Sequence, residues 1–254
     1  MASFSIGAAW DEMVAFVRRE NGIVTPVAMA TFGIGAILLS LAFPEGLAPA
    51  AADSTGRALL ILPAMLALMF GNLTLSILAL SPGLSVADAL RRATMRIPTM
   101  IVAGLLLGGI LLAAILVLSV VIIPFAGNVA TATAIVAPLV AILFIALAVP
   151  SLLLSPIVAM EAVSPMGALR RVAALVRGNF ARLCAVLAVV ILVMMTVSLI
   201  ATVVVMVVTK LLALLLGQAA LVALIGDIVL AAISALLSLA VALYVAFVYR
   251  QLAS

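Results

Sequence analysis

Glu161 and the arginines that follow it, Arg170, Arg171 and Arg177 in SPMGALRRVAALVRGN, put a carboxylate and three guanidinium groups close together in a chain that is only 8% charged. A carboxylate beside guanidinium groups has two chemical uses, to relay a proton or to clamp two elements together. A relay inside a membrane needs a second ionisable group at the same depth, and none is visible. The reading that follows is a structural clasp, in which Glu161 pairs with Arg170 or Arg171 across the Ser-Pro turn, or with Arg91 or Arg92. General acid/base work at neutral pH otherwise relies on histidine or on carboxylates with separated pKa values, and the chain has no histidine. Cys184 is the only cysteine, which leaves no disulfide or thiolate metal site within one chain and suits a small apolar packing residue. Serine-nucleophile motifs, phosphate-cradling glycine loops and metal-ligand spacings are missing. The expectation is a protein that is not an enzyme and takes no cofactor or metal.

The rest of the chain is hydrocarbon. Hydrophobic residues make up 69% of it, far above the roughly 45 to 50% of soluble domains, and the mean hydropathy is +1.57. The apolar runs are long and do not alternate, so they read as transmembrane helices rather than strands. Six stand out: 24–43, 58–80, 99–123, 131–160, 180–209 and 228–249. MASFSIGAAWDEM has no basic start and carries two acids where an apolar stretch should begin, so the first span is expected to act as an uncleaved insertion signal.

Six spans divide the cations unequally. Arg18, Arg19, Arg91, Arg92, Arg96, Arg170, Arg171, Arg177, Arg182 and Arg250 fall on one side, Arg57 and Lys210 on the other. The positive-inside rule makes the first side cytoplasmic, with both termini there. Basic residues flanking apolar spans serve topology and anionic headgroups, at about 1 kcal/mol each, rather than nucleic acid, despite a formal charge of +4. Trp10, Arg18, Arg19, Arg91, Arg92, Arg96, Arg170, Arg171 and Arg177 are therefore the expected lipid or interface anchors. Of the acids, Glu45, Asp53 and Asp227 fall outside by the same topology.

The chain also resembles itself. SIGAAWDEMVAFVRREN starts at Ser5, SVADALRRATMRIP at Ser85 and SPMGALRRVAALVRGN at Ser164, each with alanine four positions on, at Ala9, Ala89 and Ala168. This predicts an all-α membrane protein of one domain, residues 1–254, built from units 5–84, 85–163 and 164–254. Each unit is an amphipathic interfacial helix followed by a transmembrane hairpin. In the first copy Ile6, Ala9, Trp10, Met13, Phe16 and Val17 share one face. Starts are marked by Ser85 with Asp88 as a capping box and by Ser164-Pro165; stops are expected at Asn21-Gly22, Pro98 and Gly178-Asn179.

The run Pro150 to Leu183 resembles the signature of the glycerophosphoryl diester phosphodiesterase membrane-domain family and its six-span bacterial relatives. The matching residues are Pro156, Glu161, Ser164, Pro165, Ala168, Leu169, Arg170, Arg171, Arg177 and Gly178. Val172 and Ala173 stand where that family often has a serine and an aromatic. The resemblance implies a membrane module; the catalytic domain sometimes fused to it works through histidines, and this chain has none.

Two functions follow as expectations. The first is a non-catalytic scaffold or accessory subunit binding membrane lipids and other membrane proteins, or a second copy of itself. The second is a transporter or channel for a lipid or amphiphile, whose path would use polar span residues such as Asn72, Thr74, Ser76, Thr196, Ser198 and Thr202. Gly104, Gly108 and Gly109 are the expected helix-packing positions, with Gly33 and Gly35. Leu211 to Gly226, too short to cross and too apolar for a loop, is expected to lie in or dip into the outer leaflet.

Overall fold

The structure is a computed structural model that describes residues 5–43, 54–122, 124 and 128–253. Glu45 and Asp53 lie outside the described residues. The described chain is helical apart from short turns, with no strand among those residues. Helix α1 (Ile6–Ala28) passes through a π-helical turn (Met29–Gly33) into α2 (Ile34–Ala42). There follow α3 (Ser54–Leu80), α4 (Val86–Ile122), α5 (Val129–Met160), α6 (Pro165–Val176), α7 (Phe180–Leu216) and α8 (Ala219–Ala253). Six helical stretches are long and apolar enough to cross a membrane, which suggests a polytopic membrane protein.

Serine starts three of these helices in the same way. Ser5 Oγ accepts from the Ala8 amide, Ser85 Oγ from the Asp88 amide at 3.2 Å, and Ser164 Oγ from the Gly167 amide at 3.2 Å. Each satisfies one of the amides that a helix leaves without an internal partner. The Asp88 carboxylate turns back to the Ser85 hydroxyl, 2.6 Å away.

The expected stops are different from one another. Only Gly178-Asn179 separates two helices, with Gly178 at φ 87 in the left-handed region that favours glycine. Helix α1 runs straight through Asn21-Gly22, and α4 through Pro98. The expected elbows there are thus the first turns of long helices. Asn21 does not cap; its Oδ1 is taken by the Thr25 hydroxyl one turn on, at 2.5 Å. An interior glycine costs a helix only about 1 kcal/mol, less than leaving several backbone groups bare near hydrocarbon. Pro98 frees the carbonyl of Thr94, and Thr94 is exposed, so that group is not stranded. Pro26 likewise frees the carbonyl of exposed Gly22, and the π-helical turn Met29–Gly33 follows it.

Residues 211–226 also depart from expectation. They form no separate interfacial helix: α7 continues to Leu216, turns at Gly217 (φ 65) and returns as α8. Uncharged leucine- and alanine-rich sequence on both sides of one glycine prolongs the two helices it joins.

Packing is cyclic. Helices α3, α5 and α8 each touch the other two; α2 lies against α8 and α3, α4 against α3 and α5, and α7 against α5 and α8. At one end α1 crosses onto α8, and α6 onto α5 and α4. Buried side chains gather toward that end: Leu73, Leu75 and Ile77 of α3, Val149, Leu153 and Ile157 of α5, and Leu239, Leu243 and Phe247 of α8. Lipid tails are as apolar as leucine, so van der Waals fit rather than water exclusion holds these helices together. Ser76 and Ser155 make one buried hydroxyl pair at 3.4 Å.

Thr74, fully buried on α3, has an Oγ1 with no hydrogen-bond partner among the described residues. A buried hydroxyl without a partner is a net cost, and valine has the same shape. Thr74→Val is therefore expected to stabilise the chain by about 1 kcal/mol. Thermal unfolding in one detergent would check it, and a lowered Tm would contradict it.

Candidate functional site: a clasp at the arginine-rich end

Glu161 ends α5 in extended backbone, and its position gives it three neighbours from three other helices. Its Oε1 accepts from Arg171 Nε of α6 at 3.1 Å and from the Tyr249 hydroxyl of α8 at 3.0 Å. Its carbonyl oxygen accepts from Arg96 Nη1 of α4 at 2.5 Å. One residue thus ties α4, α5, α6 and α8. Tyr249 is buried, whereas the Arg171 side chain is 45% exposed, so the bond to tyrosine is the one shielded from water.

A second set of contacts fixes α1. Arg250 Nη2 pairs with Glu12 at 2.5 Å and its guanidinium lies 4.7 Å from the Phe247 ring centre. Phe247 meets Phe16 edge-on at 5.7 Å, and Trp10 meets Tyr244 edge-on at 6.2 Å. Edge-to-face pairs of this kind add about 0.5 to 1.5 kcal/mol beyond their burial. The apolar face of α1, with Ala9, Met13 and Phe16 buried, is thereby pressed onto α8.

The arginines divide into those engaged inside the molecule and those that face out. Arg96, Arg171 and Arg250 are engaged as described, and Arg19 pairs with its neighbour Glu20 at 3.0 Å. Arg18, Arg91, Arg92, Arg170, Arg177 and Arg182 are exposed and have no bonded partner among the described residues. The neighbour Arg170 does not reach Glu161; Arg171 does, because α6 turns its next position toward the end of α5. Tyr249 and the Glu161 carbonyl are the parts of the clasp that sequence reading missed. Tyr249 is 88 positions from Glu161, and no local signal joins them.

The small and polar span residues are redistributed too. A Cβ on Gly104, Gly108 or Gly109 would meet nothing within 4 Å, so these glycines pack against no helix among the described residues. Of the expected positions Gly35 is the close one, where a Cβ would fall 2.8 Å from Leu68 Cδ2, and Gly71, not among them, is closer still, where it would fall 2.6 Å from Thr31 Oγ1. Asn72 donates to the Leu68 carbonyl of its own helix at 3.0 Å, and Thr196 and Thr202 face outward. None of them converges with Glu161. Among the described residues no three His, Cys, Asp or Glu side chains come together as a metal-holding group.

Between α1, α7 and α8 lies a side-facing slot of about 330 Å³, walled by Val189, Val193, Leu237 and Val241, with Trp10 and Tyr244 at one end. Its lining is apolar apart from Asp11, and it is open toward the surface that lipid would cover. Comparison of the chain with protein-family models, with curated proteins and with solved structures finds no match.

Proposed function

We propose that the chain is a non-catalytic membrane module, a scaffold or accessory subunit of a bacterial inner membrane, with its arginine-rich end cytoplasmic. In this reading it binds another membrane protein through the far end of the α7–α8 hairpin. The resemblance carried by Pro150 to Leu183 accords with such a module. So does the cyclic packing, together with serine caps at the same place in three helices, with a chain of three related units.

The observation that carries the reading is the length of α7. Arg182 near its start must sit at an interface, because an arginine at mid-bilayer costs at least about 2.5 to 3.5 kcal/mol. From Arg182 to Leu216 the helix extends about 51 Å at about 1.5 Å per residue. A tilt of about 40° would still leave it spanning about 39 Å, against a hydrocarbon core of about 30 Å. The leucines at its end, Leu214 at 82% and Leu215 at 81% exposure, therefore rise past hydrocarbon uncovered among the described residues. Lipid tails do not reach them, so an apolar surface of another protein is the partner that fits.

Purification in native lipid tests this. A membrane protein should co-migrate at fixed stoichiometry with the wild-type chain and be lost from the Leu214→Ser, Leu215→Ser double variant while the Tm stays unchanged. Self-association lost in that variant would make the partner a second copy; equal recovery with both chains would remove the reading. The second reading, transport of a lipid or amphiphile, is favoured by the slot beside Tyr244. Saturable transport by the pure protein in liposomes, abolished by Val193→Trp in that slot, would establish it instead.

A further inference from the structure

Three seams at the arginine-rich end join the first turns of one helix to the last turns of another, and they are not alike. The seam of α1 on α8 holds a pocket of about 230 Å³, but Glu12 lines it and pairs with Arg250, and the seam of α6 on α5 is closed by Glu161 and Arg171. The third, where the start of α4 lies on the ends of α3 and α5, holds a part-open cavity of about 260 Å³. Its polar lining is Arg92, Arg96 and Ser81, and its apolar lining includes Ile77, Met95 and Met160. No carboxylate lines it. Asp88, the acid in the first turn of α4, is occupied by Ser85.

Arg92 and Arg96 stand four apart on one helix, where like charges destabilise unless something of opposite sign lies between them. Arg96 uses Nη1 on the Glu161 carbonyl, which fixes its direction and leaves its other N–H groups available. Arg92 has no bonded partner among the described residues. The Ser81 hydroxyl has only the Met160 sulfur, a weak acceptor, at 3.8 Å. Two guanidinium groups and a hydroxyl around a cavity present the donors that a tetrahedral oxyanion takes, and arginine forks match phosphate geometry.

We infer that this cavity binds a phosphate group, held by Arg92 and Arg96 with Ser81 donating a third hydrogen bond. The group is the head of a membrane phospholipid or free phosphate. The site goes beyond the scaffold reading and does not depend on it, since a transporter with this cavity would hold the same group.

The test is a titration of the purified chain in neutral detergent, followed by thermal shift and by native mass spectrometry. The probes are phosphatidylglycerol, diacylglycerol as its phosphate-free counterpart, and inorganic phosphate. Phosphatidylglycerol should bind saturably at one per chain, and diacylglycerol should not. Arg92→Gln should weaken binding about fivefold to tenfold, and Arg96→Lys should weaken it less, because charge is kept while the fork is lost. Arg182→Gln, at the start of α7 and outside the cavity, should leave it unchanged. Competition by inorganic phosphate would support the site and assign it to the free anion; its absence, with phosphatidylglycerol bound, would support it and assign it to lipid. Equal loss in Arg182→Gln and Arg92→Gln, or equal binding of diacylglycerol, would overturn the inference. Arg92 is exposed and bonded to nothing described, so its variant should unfold with the wild-type Tm. Because the probes are added to pure protein, the result is separate from co-purification of a partner.

Discussion

Valine in place of Gly71 is expected to destabilise the folded chain by about 3 kcal/mol, the upper end of what overpacking costs. A Cβ at that position would lie 2.6 Å from Thr31 Oγ1 and 2.8 Å from Phe32 Cε1, closer than real side-chain atoms come. Neither neighbour is free to withdraw. Thr31 donates to the Val27 carbonyl at 2.8 Å, and Phe32 is buried in the π-helical turn. The same change at Gly108, where nothing lies within 4 Å, should stay within about 0.5 kcal/mol. Unfolding of the two variants in one detergent measures the contrast, and a Gly71→Val protein as stable as Gly108→Val would refute the close approach of α3 to that turn.

Glu161→Ala is expected to cost about 2 kcal/mol, most of it through Tyr249 rather than through arginine. The exposed half of the clasp, Arg171, returns to water when the carboxylate is removed, and ion pairs at that exposure are worth about 0 to 1 kcal/mol. Tyr249 cannot do so, because it is buried and its hydroxyl would lose its acceptor. Two comparisons follow. Arg171→Ala should cost less than about 1 kcal/mol, and Tyr249→Phe added to Glu161→Ala should recover much of the loss. Additive effects of the two substitutions would show that the bond contributes nothing.

What sequence could show here depended on whether the signal was local. Ser85 with Asp88, and Ser164 before Pro165, mark helix starts within a few residues, and both serines cap. The apolar runs gave the spans because their composition alone selects lipid. Asn21-Gly22 and Pro98 misled as stops because their breaking power is a property of helices in water; near a membrane, interrupting the backbone hydrogen bonds costs more than keeping an imperfect residue. Glycines were the harder case. Gly71 and Gly108 both sit in apolar helices, and only the direction each faces, set by helices far away in sequence, decides that the first is crowded and the second open. The clasp was half legible for the same reason: Arg171 is ten residues from Glu161, while Tyr249 and Arg96 reach it only through the fold.

The central claim is that the arginine-rich end lies on one side of the membrane and the α7–α8 turn rises past hydrocarbon on the other. Single cysteines at Ala174 on α6 and Gln218 in the turn, each in a Cys184→Ala background, test it directly. The protein is overproduced so that it outnumbers any partner, and sealed right-side-out membrane vesicles are exposed to a water-soluble, impermeant thiol reagent. Gln218→Cys should label at once, and Ala174→Cys only after the vesicles are opened. Labelling of both from the same side, or no labelling of Gln218→Cys even in opened vesicles, would contradict the account.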